Sequence, residues 1–265
     1  ISCWSEWTNR LFFLINSRHP QANDQIRQEM SKNSIIFLMA ITIGILGIIS
    51  SKQQFKVKTV VITENHTDTL YVELPSDTVF LDKEVLLIAP GNSINIHKKN
   101  IEKFIVKKKP IVIVLNNLET IKEDFVNYRI ACHPLRIFTD LNTYKNFSNP
   151  LIAPLSSLKK WSRNNIDLQT YDYGLQVKEN TFEYHDQICI LPYPLVMAYA
   201  LATLNAGNAK LIYLAGFDGY KSGDKRSKQV EHIWDLYNRG KNNAEIISLT
   251  ETVYNVNNGS LYSFL

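Results

Sequence analysis

Four short stretches carry the side chains most able to do chemistry, and each follows an apolar run. The first is Ala89-Pro90-Gly91-Asn92-Ser93. A tight turn between a strand and a helix presents unpaired N–H groups, and the helix start adds partial positive charge, which suits a phosphate. Gly91 lets a backbone or ligand approach closely, and Ser93 either binds the ligand or caps the helix. Pro90, Gly91, Asn92 and Ser93 are therefore candidate nucleotide-binding residues. The turn lacks both the full dinucleotide fingerprint and the P-loop pattern. The second stretch, Leu115-Asn116-Asn117, places Asn116 where it could read a base or ribose, or simply start a loop. The third, Ala131-Cys132-His133-Pro134-Leu135-Arg136, offers His133 as a base and Arg136 as an anion ligand; Cys132 reads as a small buried hydrophobe.

The fourth stretch is Leu214-Ala215-Gly216-Phe217-Asp218-Gly219-Tyr220. Asp218 lies in a glycine-flanked turn and could accept a hydrogen bond from a sugar hydroxyl, with Tyr220 walling the site; the alternative is an Asp that only caps the turn. Asp224, Lys225 and Arg226 follow in what reads as a polar loop over the pocket. His185, in Phe182-Glu183-Tyr184-His185-Asp186, is a candidate general acid or base. His185 and Asp218 are the candidate catalytic pair. No spacing suggests a metal site.

These residues need a scaffold, and the pattern from Lys83 onward supplies one. Val85 to Ala89, Ile111 to Leu115, Tyr128 to Cys132, Pro150 to Ala153, Lys210 to Ala215 and Glu245 to Leu249 read as strands. Helical spacing over Ile94 to Lys108, an Ala-rich run from Leu195 to Ala206 ending at Gly207, and Ser227 to Arg239 alternate with them. Strands separated by helices predict a Rossmann-like α/β fold, with a parallel sheet covered by helices on both faces. In such a sheet ligands bind at the carboxyl ends of the strands, where all four stretches fall.

The rest of the chain is less informative. Its 265 residues are 45% hydrophobic and 20% charged, an ordinary globular composition with a net charge of +4. Lys98-Lys99 and Lys107-Lys108-Lys109 read as solvated charge where a helix ends, and no aromatic-interleaved basic stripe argues for nucleic acid. Cys3, Cys132 and Cys189 have no metal or disulfide spacing and point to a reducing compartment. Ser34 to Ser51 carries no charge and reads either as a membrane-spanning helix or as one buried in a soluble core. Three regions follow: a helical segment over 1–33, the apolar run and linker over 34–80, and the α/β domain over 81–265. The chain opens on Ile1 without a signal-peptide layout and reads as a piece of a longer protein.

Taken together, the stretches Leu87 to Ser93, Lys109 to Asn116, Ala131 to Arg136 and Leu214 to Tyr220 resemble the C-terminal domain fused to aldolases of the 4-hydroxy-2-oxovalerate type in bacterial surface-polysaccharide clusters. Tyr254-Asn255-Val256 and Ser260-Leu261-Tyr262 are similar to the end of that domain. Leu11-Phe12-Phe13-Leu14, His19-Pro20 and Gln25 to Met30 resemble the tail of the aldolase barrel, from which the apolar run departs. The barrel's metal-binding Asp and paired His residues have no counterpart, so the resemblance does not imply aldolase activity for this chain.

More distantly, the domain resembles bacterial sialyltransferases. Pro90 to Ser93 matches part of their CMP-sugar turn, Asn116 their Asn after the second strand, His185 their catalytic His, and Ala215 to Tyr220 a later strand end. The features that stabilise the leaving phosphate there have no match. The resemblance implies a glycosyltransferase-like domain using a CMP-sugar or another nucleotide-sugar. A non-catalytic module that binds a nucleotide or nonulosonate-type sugar for an upstream aldolase, and a membrane-anchored scaffold, stand beside it. The expected setting is cytoplasmic, at the membrane face if 34–51 spans a bilayer.

Overall fold

The computed structural model describes residues 72–74, 79–158, 166, 168–221 and 223–264. All belong to the second of two units into which the chain divides, Lys56–Leu265. The expectations for 1–33 and for the apolar run 34–51 lie outside the described residues. Among the described residues no helix is long and apolar enough to cross a membrane.

The architecture is a nine-stranded sheet in which every pairing is parallel. Its strands are β1 (Val72–Glu73), β2 (Glu84–Ile88), β3 (Ile111–Leu115), β4 (Tyr128–Ile130), β5 (Leu151–Ala153), β6 (Thr170–Asp172), β10 (Leu211–Ala215), β11 (Glu245–Ser248) and β12 (Asn257–Asn258), in the spatial order β1-β6-β5-β4-β3-β2-β10-β11-β12. β3, β10 and β2 from Val85 onward are apolar because both faces are covered.

The helices are α1 (Ser93–Lys108), α2 (Pro134–Thr139), α3 (Leu141–Tyr144), α4 (Val196–Ala206) and α5 (Lys225–Arg239). α1 packs Ile94, Ile101, Phe104 and Ile105 with Leu86, Ile88, Val112 and Val114 on one face. α4 and α5 pack with Val85, Leu87, Ile113, Ile212 and Leu214 on the other. A right-handed crossover stepping one way from the sheet centre lays its helix on one face, and a step the other way lays it on the opposite face. α1 joins β2 to β3 and α5 joins β10 to β11, and the two helices accordingly lie on opposite faces.

A second sheet, ordered β7-β9-β8, inserts between β6 and α4; its strands are β7 (Gly174–Val177), β8 (Glu183–Tyr184) and β9 (Ile188–Leu191). Sequence pattern does not predict β6, this sheet, or α2 and α3. Their strands are short and carry alternating or exposed side chains, so they lack the continuous apolar signal of β2, β3 and β10. Two further expectations are corrected. Lys98 and Lys99 lie in the first half of α1, not at a helix end. Asp224, Lys225 and Arg226 are not a loop: Asp224 caps α5 by accepting the Arg226 N–H, and the other two form its first turn.

Candidate functional site

The chain reverses direction across the sheet between β2 and β10, strands that are neighbours although 125 residues separate their loops. In an open parallel sheet that reversal opens a crevice at the carboxyl ends, the usual ligand position. Here the loops after β2, β10 and β11 meet and bind one another. The main chain keeps pairing past the strand ends, with Ala89 N–H donating to Ala215 O at 2.9 Å and Gly91 N–H to Gly216 O at 2.8 Å. Gly216 has φ +78°, and a Cβ there would lie 2.1 Å from Ala89 O. A Cβ on Gly91 would lie 2.3 Å from both Asp218 Oδ1 and Gly216 O. The glycine at position 91 is thus required by the neighbouring loop itself, without any ligand.

Asp218 and Ser93 form the centre of this contact. The Ser93 N–H donates to Asp218 Oδ2 at 2.9 Å, and the Ser93 hydroxyl donates to Asp218 Oδ1. Ser93 Oγ also lies 3.0 Å from Thr250 Oγ1, which accepts the Gly216 N–H at 3.0 Å. Thr252 donates its hydroxyl to Phe217 O at 2.6 Å, and Val253 N–H donates to Asp218 O at 3.3 Å. Ser93 is not the helix N-cap that its position in the sequence suggests. It is the first helical residue; Asn92 stands at the cap position without a side-chain hydrogen bond, and the capping carboxylate comes from Asp218. A carboxylate at a helix start satisfies an orphan N–H and complements the helix dipole.

Thr250 has no signal in the sequence beyond its position after the last clear strand. The same holds for Glu251, whose Oε2 lies 3.3 Å from His97 Nε2. His97 is four residues beyond Ser93, so the two share a side of α1.

The other candidates lie along or away from this edge. Asn116 follows β3 with φ +54°, and its N–H donates to Ile130 O at 2.8 Å, which ties it toward β4. His133 follows β4 at the cap position of α2 and is exposed. Arg136 is 58% exposed, with Nε 3.2 Å from Asp140 Oδ2. Pro90 and Asn92 are exposed. Tyr220 is partly covered by the Arg226 guanidinium, 4.4 Å from its ring centre, and Arg226 is held by Asp224. The Arg226 hydrogen bonds bring the Asp224 carboxyl down to about 2.

His185 belongs to the smaller sheet. It occupies the turn between β8 and β9, its carbonyl accepts the Tyr173 hydroxyl at 3.0 Å, and its ring lies 3.9 Å from Glu183. Among the described residues, none of these partners belongs to the β2–β10 crevice. Cys132 is buried and its Sγ donates to Pro194 O at 3.4 Å; burial pushes its thiol up to about 12. Among the described residues no cluster of His, Cys, Asp and Glu is placed to hold a metal.

No protein family matches this chain, and no curated protein matches it in sequence. Among solved structures it is similar to the MAf glycosyltransferase from Magnetospirillum magneticum AMB-1, at a TM-score of 0.47 and 13% identity. The match covers 74% of this chain and 36% of that one, so the chain spans about a third of that protein's length. A likeness at that level assigns neither ligand nor residue role here.

Proposed function

We propose that the domain binds a nucleotide-activated sugar across the carboxyl edge from β4 to β10, as a glycosyltransferase-like domain of bacterial surface-polysaccharide synthesis. The observation that carries this reading is the direction reversal between β2 and β10, with glycine-bearing loops on both strands. Three inter-strand steps separate β4 from β10, roughly 14 Å, a span that suits a nucleotide joined to a sugar. The phosphate-bearing part fits the β3–β4 side, where Asn116 and the exposed His133 and Arg136 offer donors and positive charge. It does not fit the start of α1, where the Asp218 carboxylate would repel it. Asp218 and Tyr220 then face the hydroxyl-rich part. The sialyltransferase resemblance favours CMP as the nucleotide and His185 as the acid or base for the departing phosphate or the acceptor hydroxyl.

A second reading is favoured by the Ser93–Asp218 contact, which spends the best-placed carboxylate on holding loops together. In that reading the domain is a non-catalytic module binding a nucleotide or nonulosonate-type sugar for a neighbouring aldolase. Titration calorimetry with CMP, CDP and UMP, followed by a transfer assay with a CMP-sugar, separates the two. Nucleotide binding weakened by Arg136→Ala, with turnover lost in His185→Asn, supports the enzyme. Binding without turnover supports the module. Absence of binding by all three nucleotides at millimolar concentration overturns the transferase, and absence of binding by a free nonulosonate sugar as well overturns the module.

A further inference from the structure

We infer that the outer face of α1 is a docking surface for an anionic lipid bilayer. At 3.6 residues per turn, Asn95, Ile96, Lys99, Lys103, Val106 and Lys107 fall on one side of this helix. All six are exposed, while Ile94, Ile101, Phe104 and Ile105 face the core on the opposite side. The exposed stripe contains no acid. The single acid of the helix, Glu102, is largely covered and lies 3.9 Å from Lys122 Nζ.

Charge is concentrated here. The exposed stripe carries three lysines, Lys99, Lys103 and Lys107, and no acid; Lys108, off the stripe, lies 3.8 Å from Glu84 Oε2. A solvated helix surface ordinarily mixes both signs. An anionic surface is the partner such a face complements.

The side chains between the lysines decide which anionic surface. Ile96 and Val106 are 68% and 59% exposed, near opposite ends of the stripe. Aliphatic groups set among lysines suit the headgroup boundary of a bilayer, where lysine stems lie along apolar matter and the ammonium groups reach lipid phosphates. A nucleic-acid backbone could take the lysines but would leave Ile96 and Val106 against polar phosphate and sugar, and the stripe has no aromatic or arginine side chain to stack on bases. Docking along α1 also leaves the carboxyl edge of the sheet open to solvent.

The test is co-sedimentation of the full chain with phosphatidylcholine vesicles, with and without phosphatidylserine, beside a fluorescence titration with duplex DNA. The expected result is tighter binding to the phosphatidylserine vesicles, lost at high salt, with each lysine removed weakening it about five-fold. Lys99→Glu with Lys103→Glu should abolish the preference for anionic vesicles while leaving the melting temperature unchanged. Ile96→Ser with Val106→Ser should weaken binding less. The double charge reversal separates α1 from the apolar run 34–51, whose flanking Lys32 and Lys52 it leaves in place. Equal binding to both vesicle types, a preference that survives the double charge reversal, or tighter binding to DNA than to anionic vesicles overturns the inference.

Discussion

Asp218 caps a helix that begins 125 residues before it, its carboxylate taking both the N–H and the hydroxyl of Ser93. The two ends of the α/β domain are thereby joined at the centre of the sheet. Replacing Asp218 with Ala leaves a buried N–H and hydroxyl short of a partner. The expected loss is about 1–3 kcal/mol, the usual result of orphaning a buried polar group beside a charged acceptor. Urea unfolding of Asp218→Ala and Asp218→Asn checks this, with Asn recovering part of the loss. An unchanged midpoint in both variants would show that the contact contributes nothing to stability.

Gly91→Ala should destabilise more than a surface glycine substitution. Its Cβ would sit 2.3 Å from Asp218 Oδ1 and from Gly216 O, and the latter is backbone that cannot turn aside. Forcing an extra carbon into a packed site costs about 1–3 kcal/mol. Because Asp218 is one of the two obstacles, the double variant with Asp218→Ala should lose less than the sum of the single losses. Strict additivity in a double-mutant cycle would contradict the shared contact.

Arg129 is 1% exposed on β4, where its guanidinium pairs with Glu123, donates to Leu118 O at 2.8 Å and stacks 3.4 Å from the centre of the Phe147 ring. Removing one partner of a fully buried pair costs about 3–5 kcal/mol; Glu123 is 32% exposed, so water offsets part of that loss here. Glu123→Gln should therefore unfold the domain at clearly lower urea. A joint Glu123→Gln, Arg129→Met replacement should recover part of the loss, which differential unfolding of the three proteins would reveal.

Cys132 and Cys189 are buried, and burial raises both thiols, Cys132 to about 12. The reactive species is the thiolate. At pH 8, below these raised values, native protein should leave both unlabelled by iodoacetamide, while urea should expose both. Peptide mapping reads the result, and rapid native labelling at either position would contradict the burial.

What the sequence makes legible follows from the size of each signal. Ile111 to Leu115 matches β3 to the residue, and β2, β10 and β11 are found within one residue at each end. A short apolar run bounded by turn residues is too brief for a buried helix and fits a buried strand. The two-residue β8 and the short α2 and α3 give no periodicity to read. At the site, parallel topology alone puts Asp218 on the same edge as Gly91. That its carboxylate caps Ser93 depends on a partner 125 positions away, which no local pattern encodes. Likewise Gly91 reads as a glycine suited to a ligand, whereas the atoms crowding it belong to Gly216 and Asp218.

The position of β10 bears on how the domain comes into being during synthesis. Leu211 to Ala215 fills the place beside β2, yet it is made long after Glu84 to Ile88, once the whole β3–β6 half and the smaller sheet have emerged. Until then β2 is an edge strand, apolar on both faces, with a row of unpaired amide and carbonyl groups. Pairings this distant in sequence form slowly because a long loop must close first. Nascent chains stalled before Leu211 should therefore self-associate through β2 or be held by chaperones, and pulse-labelled truncations ending before and after Ala215 should differ sharply in solubility.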